Sequence, residues 1–593
     1  EDFLNRMDHL TRWWQSFKTR AFHVKSELKK DSEMGNEDLF RSLGALDLVL
    51  MGVGGSIGAG IFVLTGIAAR TAGPGVVISF AIAAVACIFN ALCYAELASR
   101  FAVSGSAYLY AILAYGELPA LAVGINLLVD YHVGAAAISR SMSVYFVKML
   151  NGWGIGVPKE IGDYQVNDII SLSALAPVFL MLITLVLIRG VKESKWTNFA
   201  LTSTKILIVL LIVFGGLTKV QTSNWTNFVP KGPSSIFSAT STVFFSYIGF
   251  DVVANAAEEA HNPKRNLPIG IVASLVICAL LYCSTTLVIT GLTPYENISK
   301  SAPLSDAMTT AGLKWGQQVI NIGATVGLGT TLLTGMYAQS RLYLSIARDG
   351  LLPEQLGYVS ERSHVPVIAQ VWCGVIAAAL ATPFDVENLA KILSIGIMSA
   401  YSVVCISILS FRTSNNRSLL WWVFGFGILM LGTSIAVKLS AAFYISVPLL
   451  VLALLTWIPI FTRFSFDVAS SSSYLCPLVP LTPLIGLGSN IFMAVQLHWA
   501  AWARLLVVCV LVVGVYAGRA WKLRNDMLEI DEAMDSLVGD EAKKRVINLE
   551  AEKGHKIEAK EILDFSHEIP GERDDSSGLI HGSGPSGKRR SFV

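Results

Sequence analysis

The chain has 593 residues, of which 53% are hydrophobic and 15% charged. Soluble domains carry about 25% charged residues, so this composition excludes an ordinary soluble globular protein and indicates a polytopic membrane protein. The net charge of +2 gives no argument for a nucleic-acid partner. Eight cysteines in or beside apolar runs, without CxxC spacing, argue against a metal site, a cofactor cage or a disulfide framework.

Residues 1–43 are polar and mixed in charge, lack the apolar run of a secretory signal, and read as a cytoplasmic tail. A bilayer-spanning helix needs about 20 apolar residues. On that scale spans are expected near 44–68, 75–98, 118–147, 168–188, 196–218, 235–258, 268–292 and 315–340. Further spans are expected near 366–382, 388–411, 419–437, 441–461, 477–497 and 504–520. The sum is about fourteen, an even number, which puts both tails on one side. Arg189, Lys192, Lys264, Arg265, Arg341, Arg348, Arg412 and Arg463 fall in loops on the N-terminal side, a modest excess that makes that side cytoplasmic. The sequons at Asn224 and Asn297 then lie on the opposite side.

The first span is interrupted by Gly52-Val53-Gly54-Gly55-Ser56-Ile57-Gly58-Ala59-Gly60. Backbone polar groups at bilayer depth must be satisfied, so such a break is tolerated only where protein or a water-filled cavity surrounds it. An unwound span frees amide N–H groups and carbonyls, which suit the carboxylate and ammonium of an amino acid. A second irregular stretch, Phe244-Phe245-Ser246-Tyr247-Ile248-Gly249-Phe250-Asp251, lies five spans later. That interval is the one two inverted five-helix repeats would give. Close helix packing at small residues is the plainer explanation for either break alone; two breaks at matched positions favour a ligand site. The fold expected is an all-α polytopic membrane protein of about fourteen transmembrane helices, with an inverted five-plus-five repeat and discontinuous helices 1 and 6. Residues 44–411 would form the ten-helix transport core, 412–520 four additional spans, and 521–593 a cytoplasmic, largely disordered tail. Within that tail, 527–549 reads as an amphipathic helix. Asp575-Ser576-Ser577-Gly578-Leu579-Ile580 has the pattern of an acidic dileucine signal for sorting adaptors.

Several stretches together resemble the cationic amino acid transporters of the amino acid–polyamine–organocation superfamily. They include Gly54–Phe62, Tyr94-Ala95-Glu96-Leu97-Ala98-Ser99-Arg100, Gly105-Ser106-Ala107-Tyr108, Ala257-Glu258-Glu259 and Ala347-Arg348-Asp349-Gly350-Leu351-Leu352-Pro353. The wording Asp130-Tyr131-His132-Val133-Gly134-Ala135-Ala136 is most similar to a plant endomembrane branch, which implies the vacuolar membrane first and the plasma membrane second. The resemblance implies that the amides of Ser56, Ile57, Gly58, Ala59 and Gly60 hold a substrate carboxylate. It also implies that carbonyls of Ile57 and the Phe244, Ser246 and Tyr247 stretch meet the ammonium.

Lys205 lies about nine residues into the fifth span, roughly 13 Å from its end at 1.5 Å per residue. A lysine at that depth is costly unless it meets a cavity or a partner. The resemblance implies a proton-coupling lysine; a fixed cation seated on the first span's free carbonyls is the alternative. Asp130 sits near mid-membrane in the third span, where related cationic transporters carry a glutamate facing the substrate's distal charge. An aspartate bonded within the bundle is the other reading. Glu96 and Arg100, four residues apart, would join Glu258, Glu259, Arg341 and Arg348 in an inner gate, unless these charges only anchor helix ends.

The function implied is secondary active transport by alternating access, proton-linked or in exchange mode. Arginine, lysine and ornithine are the expected substrates; exchange of glutamate, aspartate or 4-aminobutyrate is the alternative. An intramembrane enzyme would need clustered His, Asp or Glu that the spans lack. A channel would need a pore-lining charge ring or repeated filter. A sensor without turnover would keep the same ligand site.

Overall fold

In a computed structural model, residue 21 and residues 43–537 are described, apart from 59, 102–104, 159–160, 168–169, 190–194, 258–259, 361–364, 414–415, 440–442 and 467–473. Ala59, Glu258, Glu259 and the dileucine pattern therefore lie outside the described residues. One compact unit comprises Trp14–Tyr516; a second comprises Glu1–Trp13 and Ala517–Val593, described only for its helical stretch 517–537.

The described residues are almost wholly helical. Helix α1 (Ala45–Ser56) stops inside the first apolar run, and a π-helical turn, Gly60–Leu64, leads into α2 (Thr65–Ala72). A Gly73-Pro74-Gly75 turn reverses the chain into α3 (Val76–Arg100). Next come α4 (Ser106–Tyr115) and the long α5 (Glu117–Gly152), joined at Gly116, whose φ of 92° a side chain would resist. Helix α4 has ten residues, too few to register in a span-length reading, and was not anticipated. Residues 168–188 are not helical throughout. A short hairpin of β1 (Tyr164–Gln165) and β2 (Ser171–Leu172) precedes α6 (Leu175–Ile188). Ser171 N donates to Pro383 O at 2.9 Å, which holds the hairpin down in place of another helical turn.

Helices α7 (Lys195–Leu217) and α8 (Pro233–Val243) follow, then a 3₁₀ turn over Phe244–Tyr247 and the short α9 (Phe250–Asn255). Beyond them run α10 (Pro263–Leu292), α11 (Pro303–Thr310), α12 (Lys314–Arg348) and α13 (Val367–Ala381). The tenth apolar stretch is itself kinked at Ser394 (φ 79°) between α14 (Val386–Ile392) and α15 (Ile395–Phe411). Helices α16 (Asn416–Lys438), α17 (Phe443–Leu455), α18 (Trp457–Arg463), α19 (Leu481–Gln496) and α20 (Trp499–Leu537) complete the chain. Among the described residues ten helices are long and apolar enough to cross a membrane by length and composition; α6, α13 and α19, at 14, 15 and 16 residues, are shorter.

Burial separates the centre from the rim. The apolar window of α5 is 78% buried, whereas that of the last helix is 17% buried. Leu506, Val510 and Val515 on α20 face outward, as an apolar surface does when lipid is its solvent. Polar clasps tie the later helices to the centre, since an unpaired polar group in hydrocarbon would be costly. Asn90 and Asn490 exchange side-chain hydrogen bonds of 2.9 and 2.8 Å. Glu96 takes both guanidinium bonds of Arg412, at 2.9 and 2.5 Å, and also accepts from Cys476 N.

Candidate functional site

Two backbone breaks meet at the centre of the larger unit. Helix α1 ends at Ser56, with Ile57 in extended geometry (φ −71°, ψ 92°). Its glycines allow close approach: a Cβ on Gly58 would lie 2.5 Å from Thr331 Cγ2, and one on Gly60 would lie 2.3 Å from Ser246 Cβ. The second break turns at Gly249, whose φ of 144° belongs to glycine and whose Cβ would collide with Ser56 Oγ at 2.3 Å. The two interruptions therefore pack against each other, each built so that the other fits.

The carbonyls released by the first break are taken up from neighbouring helices. Lys205 Nζ, on α7 and only 3% exposed, donates to Gly54 O at 2.8 Å and to Thr331 Oγ1 at 3.0 Å. Thr331 Oγ1 in turn lies 2.9 Å from Ile57 O, 3.0 Å from Gly327 O on its own helix and 3.3 Å from Gly54 O, and its single hydrogen serves one of these at a time. Tyr282 OH donates to Ser56 O at 2.6 Å, and Tyr145 OH to Phe62 O at 3.0 Å. The ammonium thus lies against the C-terminal end of α1, where helix carbonyls attract positive charge. The opposite end of the break, at Gly60, begins a new helical segment, in which Phe62 N donates back to Gly58 O at 3.1 Å.

A cavity of about 60 Å³ opens beside Gly55, Ser56 and Gly60. That is room for on the order of two waters at ~30 Å³ each. Tyr131, Gly134, Ala135 and Ile138 supply one wall from α5. Phe245, Ile248, Gly249 and Val252 supply another, and Thr331, Leu332, Gly335 and Met336 on α12 close it. Ser246 Oγ is buried and has no hydrogen-bond partner among the described residues. Asp251 sits behind the second break, 1% exposed; its Oδ2 accepts from Tyr131 OH at 2.6 Å and its Oδ1 from Gly249 N at 3.1 Å.

Of the residues singled out from sequence, Ser56 and Gly60 line the cavity, while Ile57, Gly58, Ser246 and Lys205 lie at the breaks and not on its wall. Phe244 and Tyr247 are not on the cavity wall. Phe244 packs edge-on to Tyr401, and Tyr247 OH bonds Phe80 O at 2.8 Å. Asp130 is also absent from the wall. It is fully buried on the far face of α5, ion-paired with Arg504 of α20 and accepting from Ile397 N at 2.8 Å. Of the charges expected to form a gate, Glu258 and Glu259 lie outside the described residues. Glu96 pairs with Arg412, while Arg100 lies over the Phe101 and Phe411 rings at 5.3 and 5.7 Å. Arg341 caps Tyr337, donating to its hydroxyl at 2.7 Å, and Arg348 is exposed. Sequence reasoning missed Tyr131, Phe245, Thr331 and Met336. The run 131, 134, 135, 138 on one helical face was the signal available for the first wall.

The chain matches the amino acid permease family over residues 43–515. It is 41% identical over 87% of its length to cationic amino acid transporter 9, chloroplastic, of Arabidopsis thaliana, covering 95% of that protein. Over 64% of its length it is 40% identical to a branched-chain amino acid permease of Bacillus subtilis, covering 82% of that chain. It is 38% identical, again over 64%, to the vacuolar cationic amino acid transporter 4 of Arabidopsis thaliana, covering 64% of it.

Proposed function

The chain belongs to the amino acid permease family, and on that basis we propose that it moves amino acids across a membrane by alternating access, driven by protons through Lys205. The observation that carries this reading is the seat of Lys205 on Gly54 O and Thr331 Oγ1 at the first break. A charge lodged on a released carbonyl links its own protonation to the geometry of the break, and so to the cavity beside it. Substrate carboxylate is received by N–H groups around Gly58 and Gly60, and the ammonium by carbonyls of the facing break with Ser246 Oγ.

Arginine, lysine and ornithine as substrates draw support from the names of the plant relatives. Neutral amino acids draw theirs from the bacterial relative named for branched-chain substrates and from the apolar cavity wall. Residence in the vacuolar membrane rests on the relatives named as vacuolar.

Uptake into proteoliposomes, with and without an inward proton gradient, tests the mechanism. Lys205→Ala is expected to abolish gradient-driven accumulation while purified protein still binds substrate. Undiminished accumulation by the variant would refute the coupling role, and absence of flux in the wild type would leave a sensor as the better reading.

A further inference from the structure

Toward the C-terminal end of α5 lies another cavity, of about 620 Å³ against about 60 Å³ between the breaks. Its polar lining comes from Lys148 and Asn151 of α5, Asp163, Ser301, Asp306 of α11 and Gln317 of α12. Val144 and Val147 give it an apolar patch. Ile138 lines the first cavity and Val144 the second, six positions apart, or about 9 Å along the axis at 1.5 Å per residue. The two are separate places.

Lys148 Nζ and Asp306 Oδ1 meet at 2.5 Å, with side chains 27% and 38% exposed. Each is the other's only ion-pair partner among the described residues. Asp163 is already committed: it accepts from the Ser171 hydroxyl and lies 3.5 Å from the buried guanidinium of Arg140. The lining therefore offers one positive and one negative pole from facing elements. The wall that carries Asp306 is fixed by other bonds. Ser141 Oγ donates to Ser301 O at 2.8 Å, and Arg70 Nε donates to Ile298 O at 2.5 Å. Gly66 of α2 lets the same segment come so near that a Cβ there would stand 2.1 Å from Ser299 O. These ties keep the wall in place when the Lys148–Asp306 pair opens.

We propose that this cavity is a second amino acid site, separate from the paired breaks, which holds zwitterions by their two charged ends. The ligand's carboxylate takes Lys148, its ammonium takes Asp306, and its side chain lies over Val144 and Val147. A half-exposed ion pair is weakly held, because water solvates both ends when it opens. A zwitterion exchanges that one contact for two of the same kind and leaves no charge without a partner. A lone cation or anion would satisfy one pole and strand the other. The volume falls within the range of small-molecule sites, about 300–1,000 Å³.

Equilibrium dialysis of the full chain in detergent micelles, with radiolabelled leucine and then arginine, reads how many amino acids each chain holds. The wild type should hold two. Lys148→Gln/Asp306→Asn, in which both poles are neutral, should hold one and still melt cooperatively. Should it fail to melt cooperatively, Asp306→Asn alone takes its place. Lys148→Glu/Asp306→Lys restores opposite charges on facing walls and should hold two again. Isopentylamine and 4-methylpentanoate each carry one charged end. They should displace the second leucine at least about tenfold more weakly than leucine itself does. One amino acid per chain in the wild type and in the neutral pair alike would overturn the second site and leave the breaks as the substrate site. Two in the neutral pair would overturn the roles given to Lys148 and Asp306. Displacement by either one-charged analogue as strong as by leucine would overturn recognition of the zwitterion. Binding of neither amino acid by the wild type would overturn this inference and the reading of the breaks together.

Discussion

Substituting Gly60 by alanine probes the apposition of the two breaks directly. The added Cβ would stand 2.3 Å from Ser246 Cβ, 2.7 Å from its Oγ and 2.5 Å from its Cα. Carbon atoms rest about 3.5–4.0 Å apart when they touch, so the breaks must separate by roughly 1 Å. Because the backbone of Ser246 is itself in the way, a change of rotamer there cannot relieve the clash. Over-packing of this kind costs about 1–3 kcal/mol, which corresponds to about a 5- to 150-fold loss of the closely apposed state. Initial uptake rates in proteoliposomes should fall within that range, and the thermal midpoint of the purified protein should fall with them. Gly60→Ala/Ser246→Gly removes the side-chain part of the conflict and keeps the backbone part, so it should recover some of the loss. Wild-type uptake and stability in Gly60→Ala would refute the claim that the breaks face each other. So would a double variant no better than the single one.

Two further outcomes follow from interactions outside the breaks. Glu96→Gln leaves the Arg412 guanidinium buried against a neutral partner, and removing one member of a buried pair costs about 3–5 kcal/mol; an unchanged thermal midpoint in detergent would count against the clasp. Tyr131→Phe deletes the donor to Asp251 Oδ2 in a buried setting, worth about 1–3 kcal/mol. It should raise substrate KM while the melt stays cooperative, and an unaltered KM would separate Asp251 from the site.

The breaks themselves were legible without coordinates. Five glycines within nine residues, and Ser246 to Gly249 five spans on, are local chemistry that a lipid-spanning helix cannot carry by chance without somewhere to place the freed groups. Lys205 was legible for the same reason, because a charge at that depth announces that a partner exists. Its partners, Gly54 O and Thr331 Oγ1, were not, since they lie 151 and 126 residues away in the chain. Helix α4 and the hairpin before α6 escaped because a window of about twenty residues averages over anything shorter.

Sequence by itself determined that this is a membrane-embedded helical chain with two matched interruptions and a central lysine, because hydropathy, glycine content and depth are properties of contiguous residues. Tertiary structure decided what each charge does. Asp130 and Tyr131 are neighbours in sequence, yet a helix turns each residue about 100° from the last. One carboxylate therefore turns toward Arg504 on the last helix, while the adjacent phenol reaches the cavity wall and Asp251. Glu96 likewise passes over Arg100, one turn away, for Arg412, which arrives from 316 residues distant with a fork that fits both its oxygens. Which side of a helix meets which neighbour is set by packing, and packing is not written in any local stretch of the chain.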